Sequence, residues 1–363
     1  MSQRIGILTG GGDAPGLNAV IRAVTVKAIE YGYEVVGFER GWAGLLGEGP
    51  DYSTPVTRVL EMSDVEDIHR HGGTVLFSSR TNPSKITDDS GKVIGYEIAK
   101  KHLDDLEIHA LIAAGGDDTL GVALKLHEAG AKVVGAPKTI DNDVSGTDYT
   151  FGFDTAINRT MESLDRLQST TVSHQRVTVV EIMGRHAGWI ALHGGIAGGA
   201  NWITIPEVEF DVKEIAEMIK ARYAAGKKWA LIAVAEGSID PDLQRRIQHS
   251  AETDDFGHVQ FSISQGVAKV VADELEELTG FESRHTVLGH LQRGGEPSAF
   301  DRVLGTRLGV KVVEMIRESN FGKMAAVQGG EGDHIVPVDL EVGVGTSKTV
   351  PLKDYEVAKL FFG

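Results

Sequence analysis

The stretch from Arg4 to Phe38, RIGILTGGGDAPGLNAVIRAVTVKAIEYGYEVVGF, decides the fold class. RIGILTG is a short apolar run that stops at Gly10, Gly11 and Gly12, as a buried strand does when it closes on a turn. In LNAVIRAVTVKAIEYG the apolar residues Leu17, Val20, Ile21, Val24 and Ala28 recur at helical spacing, and Gly32 supplies a stop. YEVVGF reads as the next strand. Strand, glycine turn, helix and strand make a βαβ unit, which predicts a parallel sheet with right-handed crossovers.

The pattern repeats outward from there. HALIAAGGDDT is a strand and its turn, LGVALKLHEAG a helix closed by Gly130, and AKVVGA a strand that runs into PKTIDND. FDTAINRTMESLDRL carries Ala156, Ile157, Met161, Leu164 and Leu167 on one helical face. RVTVVEIMGR and KWALIAVAEG are apolar runs ending in glycine plus a charged residue, and LGVKVVEMIRES is helical. DVKEIAEMIKARY and DELEELTGFESR read as amphipathic helices with solvated faces. Arg80–Lys92, RTNPSKITDDSGK, is the most loop-like stretch and a candidate mobile segment. Trp42, Trp189, Trp202 and Trp229 read as core or interface residues.

Composition narrows the function. The 363 residues suit two domains or one large α/β unit, and 41% hydrophobic content is ordinary for a soluble protein. A formal net charge of −16 disfavours nucleic acid and anionic membranes as partners. No apolar run is long enough to span a bilayer, and the N-terminus lacks a signal-peptide layout. With no cysteine, disulfides and thiolate metal sites are excluded, in keeping with a reducing cytoplasm.

Polar residues collect where strands end, and open α/β sheets bind ligands beyond those ends. TGGGD, GGDDT, PKTIDND, IMGRH and AEGS are therefore expected to line one cleft. The glycines let backbone N–H groups approach an anion at a helix N-terminus. Asp141 and Asp143 flank Asn142 past a strand, where carboxylates act as a base or hold a metal; an Asx-turn is the alternative. Arg176 and Arg185 bracket VTVVEIMG, and Arg284 and Arg293 bracket HTVLGHLQ. Guanidinium forks match phosphate oxygens, and the four arginines read as a group. His290, between the last two, reads on spacing alone as a core histidine. The glycine turns also leave open a nicotinamide dehydrogenase, with Glu39 as its ribose acid, although that fingerprint is weak.

ILTGGGDAPGLNAVIR, GGTVLFSSR, GGDDT, PKTIDND, SHQRVTVVEIMGR, AEGS and HTVLGHLQRGG, taken in order, resemble the site motifs of the 6-phosphofructokinase family over nearly the whole chain. The resemblance implies two similar-size three-layer α/β/α domains with mainly parallel sheets and an active-site cleft between them. Residues 1–152 with about 292–345 would bind the donor phosphates, and 153–291 with about 346–363 fructose 6-phosphate. It implies that Gly11 and Arg80 meet the donor, that Asp117 holds Mg²⁺, and that Asp141 takes the proton of the sugar 1-hydroxyl with Thr139 and Ile140 beside it. Met183, Gly184, Arg185 and Glu236 would contact the sugar, with Arg185 also catalytic, and His290 and Arg293 its 6-phosphate. Arg176 and Arg284 would reach the sugar phosphate of a neighbouring subunit, so an intact site needs an oligomer, a homotetramer in the family.

GGDDT departs from the ATP-using pattern, in which glycine stands at the place of Asp118. Two like charges about 4 Å apart at an effective dielectric near 20 repel by about 4 kcal/mol, roughly a thousandfold in affinity. Pyrophosphate, with no α-phosphate or nucleoside, escapes that repulsion. Asp118 with Lys138, which can meet the departing phosphate or pair with Asp118, therefore resembles the pyrophosphate-dependent members; an ATP-dependent 6-phosphofructokinase is the alternative. Arg22 matches one effector-site arginine of the allosteric relatives, but Val26 stands at the second, and Lys227 and Lys228 match in part. Weak or absent allosteric response is expected.

Overall fold

The computed structural model describes residues 3–47, 52–238, 252–253, 259–260, 266–329 and 334–363. The chain runs β1 (Arg4–Thr9), α1 (Leu17–Glu30), β2 (Glu34–Phe38), α2 (Trp42–Leu46), β3 (Thr57–Leu60), α3 (Met62–Val65) and α4 (Gly95–Asp105). It continues through β4 (Ile108–Gly115), α5 (Asp117–Glu128), β5 (Val133–Pro137), α6 (Phe153–His174), β6 (Val177–Ile182), α7 (Trp189–Ala197), β7 (Trp202–Thr204), α8 (Val212–Ala224) and β8 (Ala230–Ala235). Then follow β9 (Glu252–Thr253), β10 (Val259–Gln260), α9 (Gly266–Thr279), β11 (Ser283–Val287), α10 (Ala299–Arg317), β12 (Lys323–Gln328), β13 (His334–Asp339), α11 (Leu340–Gly343) and α12 (Leu352–Lys359). No helix of the described residues is long and apolar enough to cross a membrane.

The chain divides into two units. The first comprises Met1–Ile140, Val144–Asp154 and Gly294–Thr346; the second comprises Asp141–Asp143, Thr155–Arg293 and Ser347–Gly363.

The first unit is built on a seven-stranded sheet of order β13-β12-β5-β4-β1-β2-β3. The strands from β12 to β2 are parallel, and only the edges, β3 and β13, run antiparallel. Its central strands are apolar on both faces: Ile5, Ile7, Leu8, Ile112 and Val134 are all 0% exposed. Burying a side chain of that size contributes about 1.5–3 kcal/mol. One face packs on Leu17, Val20 and Ile21 of α1 with Leu304, Leu308 and Val312 of α10. The other packs on Leu103 of α4 with Leu120, Ala123 and Leu126 of α5. The α1–α10 crossing is close because α10 presents Gly309, where a Cβ would stand 2.7 Å from Val20 O. Arg80–Lys92 is irregular but tied down: Asn82 Oδ1 accepts from Ser84 N at 3.0 Å, Asp88 Oδ1 from Ser90 N and Lys92 N at 2.9 and 3.0 Å, and Thr87 bridges Val93.

The second unit carries a parallel four-stranded sheet of order β11-β6-β8-β7. Val177, Val179, Ile232 and Val234 face α8 and α9 through Ile215, Ile219, Val271 and Leu275. Against α7, Gly194 meets Thr160 of α6 and Gly195 meets Ile203 and Ala233 of the sheet. Trp42 lies in the core of the first unit; Trp202 stacks on Phe362 and Trp229 sits beneath Arg222 in the second.

Candidate active site

In the first unit the chain order reverses between β1 and β4, which lie side by side with Thr9 opposite Ala114. Ligands bind outside the carboxyl ends of strands at such a switch point. There the turn Gly10–Gly12 leaves β1, and Gly115 and Gly116 lead from β4 into α5; Gly10 N donates to Ala114 O at 3.0 Å. Thr119, buried in the first turns of α5, occupies the space beside both glycine turns. A Cβ at Gly10 would stand 2.6 Å from its Oγ1, and one at Gly115 2.2 Å from its Cβ. Gly11 takes φ +75°, a left-handed backbone that favours glycine.

Lys138 follows β5 and turns back to this place. It is 3% exposed, and its Nζ donates to Gly12 O. The segment ahead of Arg80 is pinned to the same turn. Thr9 Oγ1 donates to Phe77 O at 2.7 Å, Ser78 Oγ to Gly11 O, and Gly11 N to Ser79 O at 3.1 Å. Asn18 of α1 grips the segment further upstream, donating to His71 O at 3.0 Å and accepting from Val75 N at 2.9 Å. Arg80 itself is exposed.

Asp117 and Asp118 do not sit in the turn, as the sequence suggests. They are the first two residues of α5, capped by Gly116 without a side-chain bond. The helix N-terminus carries partial positive charge, so carboxylates in its first turn are stabilised. Two adjacent acids are therefore tolerated beside a phosphate-type turn. Thr139 is 8% exposed and its carbonyl accepts from Thr150 Oγ1 at 2.8 Å; Ile140 is fully buried, main chain and side chain alike.

In the second unit the carboxyl ends of β6, β8 and β11 collect Met183–Arg185, Glu236 and the turn Gly289–Gln292. Glu236 organises the first of these. Its Oε1 accepts from Gly184 N at 3.1 Å and Arg185 N at 2.8 Å. Gly184 at φ +153° has no room for a side chain, since a Cβ would lie 2.5 Å from Ala187 O. Burial pushes the Glu236 carboxyl above its ordinary range; the two N–H bonds oppose the rise, and the negative charge of Asp141 adds to it. Asp141, only 2% exposed, thus lies within electrostatic reach of Glu236. His290 is exposed and Arg293 half-buried, which overturns the reading of His290 as a core histidine.

Two residues without a role in the sequence reading hold these parts. Gln292, 0% exposed, accepts from Met183 N and donates to Thr160 Oγ1, both at 2.9 Å. Lys348 donates from Nζ to Asn142 Oδ1 at 3.0 Å and from its backbone N to Asp143 O at 2.7 Å.

The four arginines do not form one group. Arg185 and Arg293 follow the carboxyl ends of β6 and β11. Arg176 and Arg284 lie at the amino ends of those strands, and β6 is six residues long. At about 3.3 Å per residue, that separates the pairs by roughly 20 Å. Arg176 and Arg284 share Glu282, whose Oε1 lies 3.9 Å from Arg176 Nη1 and 2.8 Å from Arg284 Nη2.

A family model described as Phosphofructokinase matches residues 4–316. The chain belongs to the phosphofructokinase family. It is 51% identical over 363 residues to a pyrophosphate–fructose 6-phosphate 1-phosphotransferase of Amycolatopsis methanolica, covering 99% of this chain and all of the relative. It is also 44% identical over 366 residues to an ATP-dependent 6-phosphofructokinase of Corynebacterium efficiens, covering 100% and 99% of the two chains. Among solved structures, the T-state phosphofructokinase of Pichia pastoris superposes with a TM-score of 0.79 at 30% identity, over 99% of this chain and 36% of the yeast one. Family membership removes the dehydrogenase reading.

The donor set also suits the metal that the family implies. Asp117, first residue of α5, offers a hard carboxylate oxygen. Mg²⁺ is commonly bound in this way, by one or two carboxylates completed with substrate phosphates and water.

Proposed function

We propose that this phosphofructokinase transfers a phosphoryl group from inorganic pyrophosphate to the 1-hydroxyl of fructose 6-phosphate, giving fructose 1,6-bisphosphate and phosphate, reversibly. The observation that carries the choice of donor is the pairing of two features at the β1–β4 switch point. Lys138 is buried with its ammonium on the Gly10–Gly12 turn, and Asp118 stands in the first turn of α5. A lysine there meets the charge of a departing phosphate. An aspartate there opposes the α-phosphate that ATP would bring.

The residues divide the work as phosphoryl transfer demands, by positioning and charge neutralisation. Gly11, Arg80 and Lys138 hold the donor. Asp117 holds Mg²⁺, which when bound neutralises phosphate charge. Met183, Gly184, Arg185 and Glu236 hold the sugar, and His290 and Arg293 its 6-phosphate. Asp141, with Thr139 and Ile140 beside it and Asp143 in support, accepts the proton of the 1-hydroxyl. The oxygen attacks phosphorus, the bridging P–O bond breaks, and its electron pair leaves with phosphate; Arg185 and Lys138 stabilise the charge that develops. Arg176 and Arg284, at the far end of their strands, serve the sugar phosphate of a neighbouring subunit in a homo-oligomer.

One observation favours a second reading, ATP as donor: the relative from Corynebacterium efficiens carries that name at 44% identity. Asp118→Gly separates the two. Initial rates with each donor are expected to show ATP use rising relative to pyrophosphate. A variant that loses pyrophosphate activity and gains nothing with ATP would give Asp118 a different role.

A further inference from the structure

The C-terminal segment Ser347–Gly363, a strap of the second unit, contains Lys348, beyond the residues the family model matches. Four contacts converge on this one residue. Its backbone N donates to Asp143 O at 2.7 Å, and its Nζ to Asn142 Oδ1 at 3.0 Å. Its carbonyl accepts from Trp189 Nε1 at 2.9 Å, and its ammonium lies 5.4 Å from the Trp189 ring centroid. Two residues on, Val350 N donates to Glu207 Oε1 at 2.8 Å, and Glu207 also accepts from Gly188 N at 3.0 Å. Gly188 and Trp189 start α7, directly after the Met183–Arg185 turn.

Asn142 needs such a hold. It takes φ +52°, in the left-handed region, and is 3% exposed between two buried carboxylates. A non-glycine residue persists there when its surroundings over-determine it. The strap ties the Asp141–Asp143 turn to the start of α7, and thereby to the sugar-contacting turn that precedes α7.

We propose that Lys348 is a positioning residue for the transfer: from the C-terminal strap it fixes the backbone that carries Asp141 against the acceptor hydroxyl. The inference rests on the reading of Asp141 as the base. A misplacement on the order of 1 Å at a reacting group lowers a rate by about a hundredfold. In this role Lys348 acts through the Asp141–Asp143 backbone, so its loss is expected to lower kcat and leave KM for both substrates nearly unchanged.

The test compares Lys348→Met, which keeps the length and the backbone bonds, with Lys348→Arg, which restores a cationic donor. For Lys348→Met, kcat is expected to fall about 10- to 100-fold with each KM within about threefold of wild type, and Lys348→Arg to recover most of kcat. Trp189→Phe, which removes the indole N–H to Lys348 O and shrinks the ring facing its ammonium, is expected to lose kcat in the same direction and serves if Lys348→Met fails to fold. A kcat within about threefold of wild type in the variants that fold, or KM for the sugar rising as much as kcat falls, would overturn the proposal. Turnover by the wild type reports separately on the proposed function: without it, the reading of Asp141 fails, whereas full turnover by both wild type and variants defeats Lys348 alone.

Discussion

Gln292 joins the turn that carries His290 and Arg293 to the turn that carries Met183, so replacing it perturbs the sugar side of the site from within the core. Gln292→Met keeps the volume and removes both bonds of the amide. Thr160 Oγ1 retains its bond to Ala156 O at 2.8 Å, so the loss falls chiefly on Met183 N–H. Stranding a buried donor costs about 1–3 kcal/mol, and the second lost bond brings the total to about 2–3 kcal/mol. At about 2–4 °C per kcal/mol for a unit of this size, melting falls by roughly 5–10 °C. Because the His290–Arg293 turn loses its anchor, KM for fructose 6-phosphate rises about tenfold or more while KM for pyrophosphate stays within about twofold. Scanning calorimetry reads the first effect and initial rates at varied acceptor and donor the second. A variant that melts with wild type and keeps its acceptor KM would refute the coupling of the two turns. Equal rises in both KM values would refute its restriction to the sugar side.

Other consequences are as concrete. Burial raises the Glu236 carboxyl, with Asp141 adding to the shift, so ionising it opposes folding; the penalty is absent below the ordinary value of 4.5 and grows as pH rises through the elevated range. Glu236→Gln keeps an acceptor for Gly184 and Arg185, so its melting temperature should gain on wild type between about pH 4 and 8, and a constant difference would contradict the assignment. Gly115→Ala places a Cβ 2.2 Å from Thr119 Cβ, so about 1–3 kcal/mol of stability and much of the pyrophosphate affinity should be lost, as measured by chemical denaturation and donor titration. If Arg176 and Arg284 serve a neighbour, unfolding and refolding a mixture of inactive Asp141→Ser and Arg284→Ala chains should recover activity, up to about a quarter of wild type for paired sites. No recovery would assign the arginines to another task.

Much of the fold was legible because its determinants are local. The run of apolar residues into Gly10–Gly12, the helical spacing from Leu17 to Ala28 and the strand at Glu34–Phe38 each lie within one short window. The glycine turns and the TIDND, MGR and AEG segments were visible for the same reason. The start of α5 was misread because Gly116 caps it with backbone alone, and no Ser, Thr or Asn marks the boundary. The arginines were misgrouped because a bracketed strand puts its two ends on opposite sides of the sheet. Gln292, Asn18 and Lys348 were beyond reach for a different reason. Their partners are 109, 57 and 206 residues away, and a polar side chain that caps distant backbone leaves no period in the sequence.

The central claim, that an anionic side chain at Asp118 steers the choice of phosphoryl donor, is tested most directly by one comparison on the unmodified protein. With fructose 6-phosphate and Mg²⁺ saturating, kcat/KM for pyrophosphate should exceed that for ATP by about a hundredfold or more, given repulsion of about 4 kcal/mol against an α-phosphate. An ATP value equal to or above the pyrophosphate value would contradict the account and make this chain a nucleotide-driven phosphofructokinase.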